Sequence, residues 1–136
     1  MARAVHQSPA MHLVIADDSA EMRWLVRRIL APRFADITEA ADGRELLWCV
    51  LQHVRERPRD GLVIVADVCM PVYDGLDVLD ACGELDYHVT PIVITSFPSL
   101  AVRARVAEIG GVLVPKPFAM GELRRAVESV CAPLSP

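Results

Sequence analysis

The sequence has no closely spaced pair of cysteines. Cys49, Cys69, Cys82 and Cys131 stand far apart and form no CxxC, which argues against a zinc site or redox motif and reads as free thiols in a reducing cytoplasm. Long apolar runs are missing too, and none approaches the roughly 20 residues that a membrane helix needs. The opening MARAVHQSPAMH has no sustained apolar stretch, so it makes a poor export signal. With no long basic block and a net charge of −4, direct contact with nucleic acid is not expected. His6, His12, His53 and His88 lack metal-ligand spacing and are assigned no role.

What is present suits one domain. The chain has 136 residues, 53% of them hydrophobic, ample for a single core. Residues 1–10 lack periodicity and read as a flexible N-terminal arm, and 132–136 as a short proline-ended C-terminal tail. Residues 11–131 read as the domain itself.

From Met11 onward, strand and helix patterns alternate. LVIA, LVIVA and IVIT are apolar throughout, as in parallel strands covered on both faces. FADIT (34–38) and VLV (112–114) are weaker strands, and Pro115 predicts a sheet edge for the latter. Between them lie amphipathic helices. Met22, Leu25, Val26, Ile29 and Leu30 stripe the first, with Asp18 or Ser19 as its cap. Asp42 to Glu45 opens the second in the manner of a capping box, with Leu46, Leu47, Val50, Leu51 and Val54 turned inward. Further helices are predicted over Gly75 to Cys82, over Leu100 to Ile109, and along the stripe Leu123, Ala126, Val127, Val130 and Cys131. Trp24 lies off the first stripe and is expected at the surface. RERPRD (55–60) alternates in sign and reads as a solvated loop.

That order predicts an α/β fold, a (βα)5 doubly wound parallel sheet of five strands in the order 2-1-3-4-5, the flavodoxin-like arrangement. Its ligand crevice lies where strands 1 and 3 end. Asp17 and Asp18 leave strand 1 there, Asp67 closes strand 3, Thr95 closes strand 4 and Lys116 follows strand 5. An acidic pair before a helix is often only a cap, but five such residues on consecutive units point to shared chemistry. Three carboxylates repel one another unless a cation joins them, and magnesium favours such oxygen donors. Lys116 and the Thr95 hydroxyl suit phosphoryl oxygens. The residues describe a Mg2+-dependent phosphoryl acceptor.

The acidic pair, the segment DVCMPVYDG (67–75), Thr95-Ser96 and Lys116-Pro117-Phe118 resemble the receiver domain of two-component response regulators, from about His12 to Val130. The resemblance implies a phosphoacceptor switch, not an enzyme. Asp67 would take a phosphoryl group from a histidine kinase or histidine phosphotransfer protein. It implies Mg2+ ligation by Asp18, Asp67 and the backbone carbonyl of Cys69, with Asp17 acting through water. It also implies phosphoryl contacts and switching at Thr95, Ser96 and Lys116, and a cis bond at Lys116-Pro117. The downstream partner would dock on the helix 4, strand 5 and helix 5 face, and a homodimer is a separate candidate.

The chain departs from the family pattern in places. Leu113 stands where receivers usually carry an aromatic residue. Cys69 and Phe97 occupy positions that flank the water path to the phosphoacceptor, and Cys69 reads otherwise as a small apolar filler. A receiver cut from a larger regulator or hybrid kinase is an alternative reading. An aspartyl-nucleophile phosphatase is another, weakened because the position two after Asp67 holds Cys69 instead of a second aspartate.

Overall fold

Apolar runs bounded by turn residues become parallel strands here, each followed by a helix that covers one face of the sheet. The computed structural model describes residues 11–131; the expected arm 1–10 and tail 132–136 lie outside the described residues. The strands are β1 (Met11–Ala16), β2 (Ile37–Ala40), β3 (Gly61–Asp67), β4 (Val89–Thr95) and β5 (Val112–Pro115). They form one parallel sheet ordered β2-β1-β3-β4-β5, the order read from the sequence. The helices are α1 (Ala20–Leu30), α2 (Gly43–Glu56), α3 (Gly75–Cys82), α4 (Leu100–Glu108) and α5 (Met120–Cys131).

Two hydrophobic layers hold the sheet. Leu13, Ile15, Val63, Val65, Ile92 and Ile94 pack against α1 and α5, while Val14, Ala16, Ile64, Ala66 and Val93 face α2, α3 and α4. Alternate residues of each central strand therefore feed opposite layers, which is why these strands are apolar throughout. Local chemistry starts the helices. Ser19, and not Asp18, caps α1 by accepting from the Met22 amide at 3.1 Å. Asp42 accepts from the Glu45 amide at 2.8 Å, and the Glu45 carboxylate accepts in turn from the Ala41 amide at 2.7 Å.

Some sequence expectations are corrected. The second strand starts at Ile37 and not at Phe34, because Phe34 is drawn into the core beside α1. Leu51 is 47% exposed, and Cys49 takes a buried place on α2 instead. Helix α4 ends at Glu108, with Ile109 as its cap. The RERPRD segment is not all loop, since α2 runs through Glu56 and the rest joins an ion cluster.

That cluster surrounds His12, to which the sequence reading gave no role. His12 is 3% exposed at the N-terminal edge of the sheet. Its Nε2 lies 2.9 Å from Asp60 Oδ2 and 3.0 Å from Arg57 Nη1. Its Nδ1 lies 3.1 Å from Asp36 Oδ2, close enough for an ion pair but without hydrogen-bond alignment. One ring thus ties the starts of three strands together. Replacing it with leucine is expected to lower the unfolding free energy by about 2 kcal/mol, since the polar groups around it lose their partner. Urea titration checks this, and an unchanged midpoint would refute the tie.

Candidate functional site

The register of the sheet gathers the candidate residues. Asp67 pairs with Ile94 across β3 and β4, and Thr95 with Pro115 across β4 and β5. Asp17 and Asp18 continue β1 beyond the Ala16 and Ala66 pair. The chain leaves β1 for α1 on one face and β3 for α3 on the other, so a crevice opens between them at the carboxyl edge.

Asp17 is wholly buried, Asp67 is 8% exposed and Asp18 faces solvent. Carboxylate oxygens from the three lie within 4.8 Å of one another. Lys116 Nζ donates to Asp17 Oδ2 at 3.0 Å and to Asp67 Oδ2 at 3.2 Å. Burial raises the pKa of the Asp67 carboxyl, opposed by the Lys116 charge and reinforced by Asp17. For Lys116, burial works against its charge, but bonding to Asp17 and attraction to both carboxylates hold its pKa above the ordinary lysine value. Among the described residues one ammonium faces three carboxylates, so negative charge is in excess. Crowded hard oxygens with uncompensated charge fit a divalent, oxygen-seeking cation such as Mg2+.

The other sequence candidates fall around this centre. Thr95 is 1% exposed; its Oγ1 accepts from the Phe97 amide at 3.0 Å, and its carbonyl accepts from the Lys116 amide at 2.7 Å. The Lys116-Pro117 bond is cis. Ser96 is exposed, and Phe97 is 74% exposed beside it. Cys69 is exposed and no core filler; its amide donates to Asp67 Oδ1 at 3.3 Å. Leu113 is not in the crevice but packs, half-buried, on the layer shared with α4.

Sequence reasoning missed what holds the loop after β3. The Gly75 amide donates to the Val68 carbonyl at 2.9 Å, and the Gly43 amide to the Pro71 carbonyl at 3.1 Å. A Cβ on Gly75 would fall on the Asp67 carbonyl oxygen, and one on Gly43 on the Tyr73 carbonyl oxygen. Between these clamps Val72 takes φ 73°, and the Tyr73 amide closes a tight turn onto the Pro71 carbonyl at 2.9 Å. A left-handed β-branched residue costs about 1–3 kcal/mol and persists only where its surroundings impose it. Arg23 was also missed. Its Nη1 donates to the Asp17 carbonyl at 2.7 Å, while its Nε holds Glu39 at 3.0 Å. The sequence signal was the pair Arg23 and Arg27, one turn apart; that both bond to Glu39 emerges only in the fold.

Comparison with known proteins agrees with this geometry. A family model described as the response regulator receiver domain matches residues 13–128. Protein-glutamate methylesterase/protein-glutamine glutaminase 3 of Hahella chejuensis is 38% identical, over 88% of this chain and 34% of its own length. Response regulator MprA of Mycobacterium leprae is 32% identical, over 88% of this chain and 50% of its own. The chain thus spans a third to a half of those relatives. Sporulation initiation phosphotransferase F of Bacillus subtilis is 26% identical, over 85% of this chain and 90% of its own length. In fold, the crystal structure of the CheX–CheY–BeF3–Mg complex from Borrelia burgdorferi superposes with a TM-score of 0.80, 24% identity and 91% coverage of both chains. The chain belongs to the response regulator receiver domain family.

Proposed function

We propose that this receiver is a phosphoacceptor switch in which Asp67 takes a phosphoryl group from a histidine kinase or histidine phosphotransfer protein. The observation that carries it is Lys116 bridging Asp17 and Asp67 within the carboxylate cluster. In the transfer, an Asp67 oxygen forms the new O–P bond as the donor's P–N bond breaks, leaving the electron pair on the imidazole. Lys116 is placed to follow a phosphoryl oxygen away from the Asp67 carboxylate. The Thr95 hydroxyl already accepts from the Phe97 amide, so its proton remains free to donate to the phosphoryl group. Asp17, Asp18, Asp67 and the Cys69 carbonyl are the groups proposed to hold Mg2+, with Asp17 acting through water. When bound, it would neutralise the charge that otherwise keeps an anionic donor away. A relative named as a phosphotransferase, 90% of whose length the chain covers, supports phosphoryl chemistry here.

The readout is proposed to run through Thr95 and Ser96 to the α4, β5 and α5 face, where a downstream protein or a second copy would dock. The site is that of a cytoplasmic switch and not of a turnover enzyme, and residues 11–131 form the receiver domain. The lengths of the first relatives favour such a receiver serving also as a module of a longer regulator. With leucine at position 113 there is no ring to rotate, so the loop after β4 bears the change. Beryllofluoride with Mg2+ is expected to shift amide resonances chiefly from Thr95 to Leu100 and around Lys116. A few kcal/mol of differential stabilisation suffices for such a population change. A large two-state rotamer change at Leu113 that controlled binding would overturn this route.

A further inference from the structure

Helix α2 carries an outward stripe that neither the core nor the phosphoryl site uses. Arg44, Trp48, Leu51 and Arg55 follow at intervals of four, three and four residues, so at 3.6 residues per turn they align within roughly 60° of arc. All four are exposed, Trp48 by 62% and Leu51 by 47%. The opposite face, with Leu46, Cys49 and Val50, is buried in the core. Neither arginine has an ion-pair partner among the described residues. The nearby Glu45 is engaged by the Ala41 amide. The result is an apolar pair bracketed, one turn away at each end, by a free guanidinium.

This charge pattern selects the occupant. Two copies meeting antiparallel through the stripe would set Arg44 of one against Arg55 of the other, and like charges at the ends repel. A parallel self-pair sets each arginine against its own equivalent. A membrane surface calls for a broad apolar face, whereas Glu45, Gln52 and Glu56 crowd this one on its flank. Tryptophan and arginine are the residues that most often anchor protein interfaces, and rim charges steer the approach and orient it. We propose that the α2 stripe docks an amphipathic helix of a partner protein. The partner's apolar side chains cover Trp48 and Leu51, and its acidic residues at either end meet Arg44 and Arg55. No residue of the phosphoryl site belongs to this surface, so it stands or falls separately from the proposed chemistry.

The test uses a Trp24→Phe background, which leaves Trp48 as the sole tryptophan of the chain. Two synthetic helices serve as probes, with the same leucine-rich face but glutamates at both ends of one and lysines at both ends of the other. The glutamate-ended helix is expected to shift Trp48 emission to the blue, saturably, and the lysine-ended helix to leave it unchanged. Followed by calorimetry, Trp48→Ala is expected to weaken binding about thirtyfold. Arg44→Glu with Arg55→Glu should reverse the preference, so that the lysine-ended helix binds instead. These positions are on the surface, and a matching circular dichroism spectrum for each variant confirms that its fold is kept. Three results would each overturn the proposal: binding indifferent to the charge swap, a blue shift only with vesicles of anionic lipid, or self-association abolished by Trp48→Ala.

Discussion

A small acyl-phosphate donor with magnesium is expected to label the chain at Asp67, and Asp67→Asn to take labelling to background. The loss should be at least about a hundredfold, the scale on which removing or misplacing one reacting group acts. Asp67 is the carboxylate that ends β3, lies 3.2 Å from Lys116 and shares its surroundings with Asp17 and Asp18. Leaving out magnesium is expected to be nearly as damaging, because the carboxylates would then repel the anionic donor. The Asn variant should remain folded, which separates loss of the acceptor from loss of structure. Burial raises the folded pKa of Asp67, so the native state holds its proton more tightly than the unfolded chain does. The stability this brings is fully present below the unfolded pKa and is lost as pH rises through the folded one. At neutral pH without metal, Asp67→Asn should therefore melt at or above the wild-type temperature. Robust labelling of this variant would place the acceptor elsewhere.

The second large effect concerns how long the acyl phosphate survives. Its hydrolysis needs a water aligned opposite the Asp67 oxygen. We propose that Phe97, 74% exposed, screens that approach; its ring offers the water no hydrogen bond. Cys69, two positions after Asp67, is exposed and presents only a thiol, a weak partner. With neither residue able to orient the water, the phosphorylated form is expected to be long-lived for a receiver. Cys69→Asn with Phe97→Glu supplies an amide and a carboxylate and is expected to shorten the lifetime by up to about a hundredfold. The measurement loads the protein, removes the donor and follows phosphate release. A fast wild-type decay that the double substitution leaves unaltered would show that these side chains do not control the water.

The sheet and its chemical edge were legible because buried parallel strands announce themselves. LVIA, LVIVA and IVIT have no polar face, and the polar residue that ends each run must lie where the sheet stops. Features set by tertiary approach were not legible. Phe34 looked like strand and became core, because α1 ends in a turn that delivers it inward. Leu51 looked inward-facing, yet the buried arc of α2 centres on Leu46 and Val50. Cys69 looked like filler but stands in the open, because its backbone and not its side chain faces Asp67. His12 carried no signal at all. Its partners Asp36, Arg57 and Asp60 come from two separate connections, and only the folded sheet brings them to one ring.

The clamped loop after β3 also sets which letters of this sequence are free to drift. Gly43 and Gly75 are 32 positions apart in the chain, yet one lies against the Tyr73 carbonyl within this loop and the other against the Asp67 carbonyl where the loop begins. The loop that joins these two carbonyls is pinned at Val68 by the Gly75 amide and at Pro71 by the Gly43 and Tyr73 amides, the last closing the turn at Val72, so neither carbonyl is at liberty to retreat. Flexible side chains yield to an extra methyl group, but peptide groups fixed in a closed loop do not. A saturation library selected for folding should thus return glycine alone at both positions, while neighbouring exposed Arg44 and Tyr73 accept wide replacement. Alanine, the mildest change in the genetic code for either site, would be rejected as firmly as tryptophan.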